Sequence, residues 1–485
     1  MISYIYFSDS AKFADIAFNI ITKSVFKSSF EFFGGAPLVL PLMPYSIAVF
    51  FKIFGISDFA VMATSFVYFL LSLLFVFLLA QKIYKSKLVS ILTTAAVGFN
   101  YDLIKYATSG ASESPFIFEL LAGTYFLSIK KWWGNLLGIA FMILMYLTRP
   151  QAIIYIFGLI LYYFISNFSW KKSLIYTFIS FLFGTLLYAL FSKQGLTAVT
   201  QNLPGIAVSD SLRGSNVDFN LLVIAKKVFY NLYNFYKALP EIINPYLFAL
   251  FLIGTFKKYS TFNFSVIFMT GLTFFATALT IPFYRYLHPI IPLIYIVGTA
   301  TLVELISNLR FPISSQFLIF KITKQKFIIL TLTFLTLFFA VGQTLGILFL
   351  DSRFERKIHN VGKAPIYAEM SYRLKEITGK DDVIITNLDT WGSWYGERKT
   401  IWFPLKPEMI LPIEEKIDYI YLTSYKIDDE NYYMGEGWRE IFEKPESQKI
   451  LPNYKFVGEY RFDSEENYEN EDGRAVLLIR KNEAK

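Results

Sequence analysis

The residues able to do chemistry in this chain are ionisable groups set beside long apolar runs. Asp9 and Asp15 lie in an amphipathic N-terminal stretch, Asp102 and Glu113 flank a turn between apolar runs, and Glu119 falls inside the next run. The cations on the same predicted face are Lys105, Arg149, Arg213, Lys226, Lys227, Arg285 and His288. Charge at membrane depth is costly, so such residues are functional suspects by default. Carboxylates grouped with cations suit a reaction between a hydroxyl and a phosphorylated donor. The carboxylate removes the hydroxyl proton and the cations stabilise the departing phosphate. A phosphate leaving group needs no strong general acid, so the chemistry requires no histidine pair. The chain has no Cys and two His, His288 and His359. Disulfides, thiolate metal sites and Cys nucleophiles are excluded, as is a His-rich zinc site.

The elements that must position these residues are membrane helices. Of 485 residues, 54% are hydrophobic, 19% aromatic and 17% charged, with mean hydropathy +0.44. Soluble domains carry roughly 25% charge, and disordered chains are poor in aromatics. Runs long enough to span a bilayer, about 20 residues each, predict helices over 60–81, 88–106, 112–129, 134–149, 150–166, 173–191, 242–256, 262–281, 285–306 and 327–350. Basic clusters at Lys82–Lys87, Lys130–Lys131, Lys171–Lys172, Lys257–Lys258 and Arg310–Lys326 mark every second connection. That is the positive-inside pattern; it places those loops in the cytoplasm and accounts for the net charge of +8 without nucleic acid. The opposite loops, residues 1–59, 100–113, the turn at Arg149, 192–241 and 282–285, then share an extracytoplasmic face with the tail. The predicted fold is an all-α polytopic membrane domain over 1–350 and a small soluble extracytoplasmic α/β domain over 351–485. In that domain a helix is expected at Ile366–Ile377, with strands at Asp382–Thr386, Ile417–Thr423, Tyr454–Arg461 and Ala475–Arg480. Residues 8–33 read as amphipathic, with Phe13, Ile16, Ala17, Ile20 and Ile21 at helical spacing. Their placement outside predicts direct translocation or, as taken here, an upstream transmembrane helix missing from the chain.

Several motifs, in order, resemble the GT-C membrane glycosyltransferases, which include protein O-mannosyltransferases and the lipid A aminoarabinose transferase. Asp9-Ser-Ala-Lys-Phe-Ala-Asp-Ile-Ala resembles the first-loop motif. Gly35-Ala-Pro-Leu-Val-Leu-Pro-Leu-Met-Pro-Tyr resembles the proline-rich part of that loop, followed by Phe50-Phe-Lys-Ile-Phe-Gly. Ser112-Glu-Ser-Pro-Phe resembles an acidic helix start, Leu147-Thr-Arg-Pro-Gln a later turn, and Tyr284-Arg-Tyr-Leu-His-Pro-Ile-Ile-Pro a later helix start. The resemblance implies Asp9 as the general base and Glu113 as a second acid. It implies Arg149 and Arg285 on the donor phosphate through forked contacts, His288 and Lys105 as secondary phosphate ligands, and Asp102 toward acceptor or sugar. The donor implied is a polyprenyl-phosphate sugar; the acceptor is a lipid, glycan or protein hydroxyl; the anomer is inverted. The Asp-x-Asp of the oligosaccharyltransferase branch is absent, so no cofactor or metal is indicated.

Each residue also has a structural reading. Asp9 suits a helix N-cap, Asp15 a solvated face, Asp102 a pair with Lys105, Glu113 a helix-dipole position and Glu119 an intrahelical contact. Arg149 and Arg285 suit interface anchors, Lys226 and Lys227 a loop or headgroup contact. Trp391, Trp394 and Tyr395 suit either a sugar platform or a domain core. Rival functions are a polysaccharide polymerase or ligase, and a lipid or polysaccharide flippase. A transporter is expected to show related halves and mid-membrane polar residues; the acids here cluster at one interface.

Overall fold

The structure is a computed structural model and describes residues 4–34, 39–166, 213, 221–257, 260–308, 331, 334–335, 362–427, 429 and 432–481. Its first long helix, α3 (Asp58–Tyr84), starts where the Ser57 side chain accepts from the Ala60 N–H and stops at Lys85 in the left-handed region. At about 1.5 Å per residue its 27 residues exceed a bilayer core. Among the described residues, Asp58–Tyr84, Thr261–Leu279 and Tyr284–Asn308 are long and apolar enough to cross a membrane, and shorter apolar helices accompany them. These shorter helices include α7 (Trp132–Thr148) and α8 (Ala152–Ser166), and α6 (Glu113–Ser128) packs against α3 and α7. The chain is a membrane protein.

The expected span over 88–106 is broken into α4 (Lys87–Gly98) and α5 (Tyr101–Ala107). Asn100 causes the break: its side chain accepts from the Leu103 N–H and starts a new helix. The 192–241 segment, expected as a loop, holds a helix, α9 (Leu221–Lys237). The spans expected over 173–191 and 327–350 lie almost wholly outside the described residues. Helix packing is close. A Cβ on Gly298 of α12 (Ile291–Asn308) would sit 2.6 Å from the Leu247 carbonyl of α10 (Pro245–Lys257), the small-residue approach usual between membrane helices.

The soluble part is an α/β unit. The helix over Ile366–Ile377 has the expected bounds (α13). The sheet order is β1-β3-β2-β4-β6-β5, with β2 (Val383–Thr386), β3 (Lys399–Trp402), β4 (Tyr419–Thr423), β5 (Tyr454–Phe462) and β6 (Gly473–Arg480). Strand β3, not expected from sequence, pairs in parallel with β2. The outermost strand comes from the other end of the chain: β1 (Phe30–Phe32) pairs in parallel with β3, Phe30 opposite Thr400. The sheet is therefore not confined to 351–485. A three-residue strand carries too little pattern to stand out in sequence.

That strand follows α1 (Ser8–Lys23), the helix bearing Asp9. The Tyr395 hydroxyl donates to Asp58 Oδ2 at 2.7 Å and accepts from the Ile5 N–H at 2.8 Å; Trp394 Nε1–H donates to Asp58 Oδ1 at 2.8 Å. The Tyr367 hydroxyl donates to the Ile5 carbonyl. Trp391 is buried and stacks on Tyr367 at 4.5 Å. Trp394 and Tyr395 thus bind the soluble domain to the first turn of α3. Replacing Asp58 by Ala removes two charge-assisted hydrogen bonds, each worth roughly 1.5–3 kcal/mol. The variant is expected to unfold at lower temperature and to be cut faster by protease near residues 391–397; unchanged thermal midpoint and cleavage would refute this anchor.

Candidate active site

Glu113 begins α6, where a carboxylate meets the positive helix end. Gly110, three residues earlier, has φ +71°, and a Cβ there would lie 2.5 Å from Val61 of α3. Only glycine lets this turn close against α3 and α1, and that closure fixes where α6 starts. Arg149 caps α7 in an extended conformation, as expected for a residue preceding proline. Arg285 sits in a 3₁₀ turn over Tyr284–Tyr286, just before Pro289 and Pro292 start α12.

These three elements and α1 meet at one end of the helical bundle. Arg149 Nη1 lies 2.5 Å from Glu113 Oε1 and 3.3 Å from Ser112 Oγ. Arg285 Nη2 lies 2.5 Å from Asp9 Oδ2, and its Nε 3.9 Å from Glu113 Oε1. The alternating row is Arg149, Glu113, Arg285, Asp9. The Glu113 side chain is 2% exposed, Arg149 9%, Arg285 24% and Asp9 50%, so the row runs from the interior to an opening at Asp9. Arg285 Nε–H is buried and has no acceptor among the described residues. Tyr286 lies under both guanidiniums, 5.1 Å from Arg149 and 5.3 Å from Arg285. Asp9 feels two opposed effects: its surroundings desolvate the carboxyl and push it up, but the Arg285 charge and hydrogen bond, with Arg149 and Lys12 behind, hold it below its ordinary value. It is a carboxylate at neutral pH.

The other expected residues are placed differently. Lys105 lies 4.7 Å from the Tyr6 ring centroid and 5.6 Å from that of Phe7, which also lies 5.9 Å from Arg285. Asp102 makes no ion pair with Lys105. His288 is buried, its Nδ1 2.5 Å from the Tyr106 hydroxyl and its Nε2 without a partner among the described residues. Glu119 accepts from Thr148 Oγ1 across α6 and α7, a contact between helices rather than within one. Asp15 is buried and accepts from Ser28 Oγ and the Ser29 N–H, closing the turn into β1 instead of facing solvent. Arg213, fully buried, donates to the carbonyls of Phe403, Pro404 and Tyr433 and belongs to the soluble domain. Lys226 and Lys227 lie on α9, the latter buried. A cleft of about 1600 Å³ opens on another face of α1, beside Asp15, Phe59 and Met62. Its lining excludes the charged row, so charge geometry rather than volume locates the site.

Two groups beside Asp9 went unnoticed in the sequence. Lys12 follows Asp9 by one helical turn, and Asp389 comes from the loop after β2, where Thr390 Oγ1 donates to the Ser8 carbonyl. Lys12 had a signal, a cation on the Asp9 face of an amphipathic helix. Asp389 had none, since its proximity depends on long-range folding.

Residues 36–194 match the family of dolichyl-phosphate-mannose-protein mannosyltransferases. That stretch holds Glu113 and Arg149; Asp9 and Arg285 lie outside it. No curated protein matches the chain by sequence. The crystal structure of ArnT from Cupriavidus metallidurans bound to undecaprenyl phosphate superposes with a TM-score of 0.54 at 9% identity, over 98% of this chain and 94% of that one. Its apo form gives 0.51 at 9% identity over the same shares, 98% and 94%. The chain has the GT-C fold. Within the GT-C fold, the helical bundle and the strand-containing C-terminal unit match the architecture expected from sequence.

Burial pushes the Asp389 carboxyl up to about 6, opposed by hydrogen bonds from Thr390 and Tyr432. The folded chain thus binds a proton there that the unfolded chain releases near pH 4. Charging Asp389 therefore costs stability as pH rises from about 4 to above 6. Thermal unfolding of Asp389→Asn against wild type is expected to shift in favour of the variant across that range; a gap independent of pH would contradict the assignment.

Proposed function

We propose that this protein transfers a sugar from a polyprenyl-phosphate donor to an acceptor hydroxyl at the extracytoplasmic face of the cell membrane, with inversion. The observation that carries the reading is the row of Arg149, Glu113, Arg285 and Asp9 at one end of a GT-C bundle. It pairs a phosphate-binding set with an exposed carboxylate. The ArnT structure bound to undecaprenyl phosphate supports a donor of that class. Asp9 takes the proton of the acceptor hydroxyl as its oxygen bonds to the anomeric carbon. The bond from that carbon to the phosphate oxygen breaks, and the electron pair leaves on the polyprenyl phosphate. Arg285 and Arg149 take up the charge that develops there.

A carboxylate held by a guanidinium is a weak base. The Arg285–Asp9 contact therefore describes the site before the donor enters. Donor phosphate draws the Arg285 fork away from Asp9, restoring basicity only when there is a sugar to transfer. Glu113, locked by Arg149, keeps both arginines in place, and its burial leaves it no access to an acceptor. Lys105, beside Phe7, is a further cation for the phosphate, and Asp102 is kept as the proposed acceptor contact; His288 pairs with the Tyr106 hydroxyl. The flippase reading is disfavoured because the charged row sits at one end of the bundle.

The test is transfer from radiolabelled polyprenyl-phosphate sugars in membranes. Asp9→Asn keeps shape and removes proton acceptance, so transfer is expected to fall by about 10²–10⁴ with expression unchanged. Arg285→Met is expected to raise the KM for donor at least tenfold. Transfer that survives Asp9→Asn removes Asp9 as the base, and a wild type that transfers from no donor tried removes the transferase reading.

A further inference from the structure

Glu119 takes no part in the charged row, yet it is a carboxyl 1% exposed inside the helical bundle. Among the described residues its hydrogen bonds go to Thr148 alone, and it makes no ion pair. Burying such a group is costly, and well-packed apolar side chains in place of buried charged groups are often neutral or stabilising. Stability alone does not account for the contact; position does. The two helices it joins are already packed. Near the start of α7, a Cβ on Gly134 would lie 2.8 Å from the Phe126 carbonyl and one on Gly138 2.6 Å from the Leu127 side chain, so α6 and α7 touch closely at that end. At the other end α7 stops at Thr148, and Arg149 follows in an extended conformation. Thr148 Oγ1 lies 2.9 and 2.8 Å from the two Glu119 carboxyl oxygens and 2.9 Å from the Leu144 carbonyl, so its rotamer is held from both helices. The Arg149 N–H donates to the Met145 carbonyl, and the Arg149 carbonyl accepts from the Ala152 N–H. Glu113 and Glu119 are six residues apart on α6, about 9 Å along its axis. Glu113 holds the Arg149 guanidinium, and Glu119 holds the backbone corner from which that side chain springs.

We infer that Glu119, acting through Thr148, is a positioning residue for Arg149 and so for the donor phosphate. The inference rests on the transferase reading and extends it to a residue that touches no substrate. The guanidinium must face the phosphate as charge develops there, and a misplacement of about 1 Å can cost about 10²-fold in rate. The Arg149–Glu113 pair by itself joins two side-chain ends and leaves the last turn of α7 free to slide or rotate. A second contact, one residue earlier in α7 and deeper along α6, removes that freedom.

The experiment uses the purified full chain in detergent. Binding of polyprenyl phosphate, transfer from polyprenyl-phosphate sugars and thermal unfolding are measured on the same preparations. Glu119→Leu and Thr148→Val are each expected to weaken polyprenyl-phosphate binding and to lower kcat/KM for the donor by about 10–100-fold. Glu119→Leu is expected to unfold no earlier than wild type, because it replaces a buried polar group by an apolar one. Glu119→Gln keeps an oxygen within reach of Thr148 and is expected to retain most of the binding and transfer. In an Arg149→Met background Glu119→Leu is expected to add no further loss, since effects that pass through one residue do not add. Binding and kcat/KM at wild-type level in Glu119→Leu refute the inference, as does a full further loss in the Arg149→Met background. A loss matched by earlier unfolding makes the contact a structural tie and also refutes it. A wild type that binds polyprenyl phosphate but transfers from no donor tried sinks the transferase reading alone, and the binding data still decide the role of Glu119.

Discussion

A carboxylate that is 2% exposed at the end of a membrane bundle needs close cationic partners, and much of this architecture follows from Glu113. Desolvating one charge costs several kcal/mol unless partners are close and well oriented. Two guanidiniums supply that compensation, one from the turn after α7 and one from the turn before α12. Together they overcompensate, and the surplus positive charge attracts Asp9 on α1. The spacing of four elements far apart in sequence is thereby tied to one buried group. The turn glycine, the proline after Arg149 and the prolines after Arg285 set the backbone so that the row closes.

The opposite side of Asp9 is governed by different contacts. The soluble unit reaches back through Thr390 to Ser8, through Tyr395 and Tyr367 to Ile5, and through β3 to β1. Asp58 receives Trp394 and Tyr395 at the first turn of α3. The helix bearing Asp9 is thus held between the bundle and the sheet, and its charged face lies along that seam. Neither half would orient Asp9 alone.

Much of this was readable from the residues. Membrane helices announce themselves by length and hydropathy, as α3 does over Asp58–Tyr84. The α13 bounds, Ile366–Ile377, were those expected from sequence. Arg149 and Arg285 stood out as cations on the predicted face that carries the acids, within motifs that resemble the GT-C family. What sequence did not show was set by local side-chain competition or by tertiary contact. The break at Asn100 came from one side chain competing with the backbone. Strand β1 is too short to leave a periodicity, and Asp389 is one acid among many in a polar tail. His288 was expected on the phosphate by resemblance alone, and its pairing with the Tyr106 hydroxyl depends on tertiary contact. Arg213 looked like part of the membrane face, but its guanidinium donates to three carbonyls of the soluble domain.

The parallel pairing of Phe30 with Thr400 also sets the order in which the protein can be completed. Translation proceeds at about 5–20 residues per second, so β1 waits roughly 20–70 s for the strand it must join. During that time α1 has no sheet to rest against, and the seam at Asp9 does not exist. A chain that is shortened, stalled or misinserted before its last domain therefore lacks the sheet that α1 rests against.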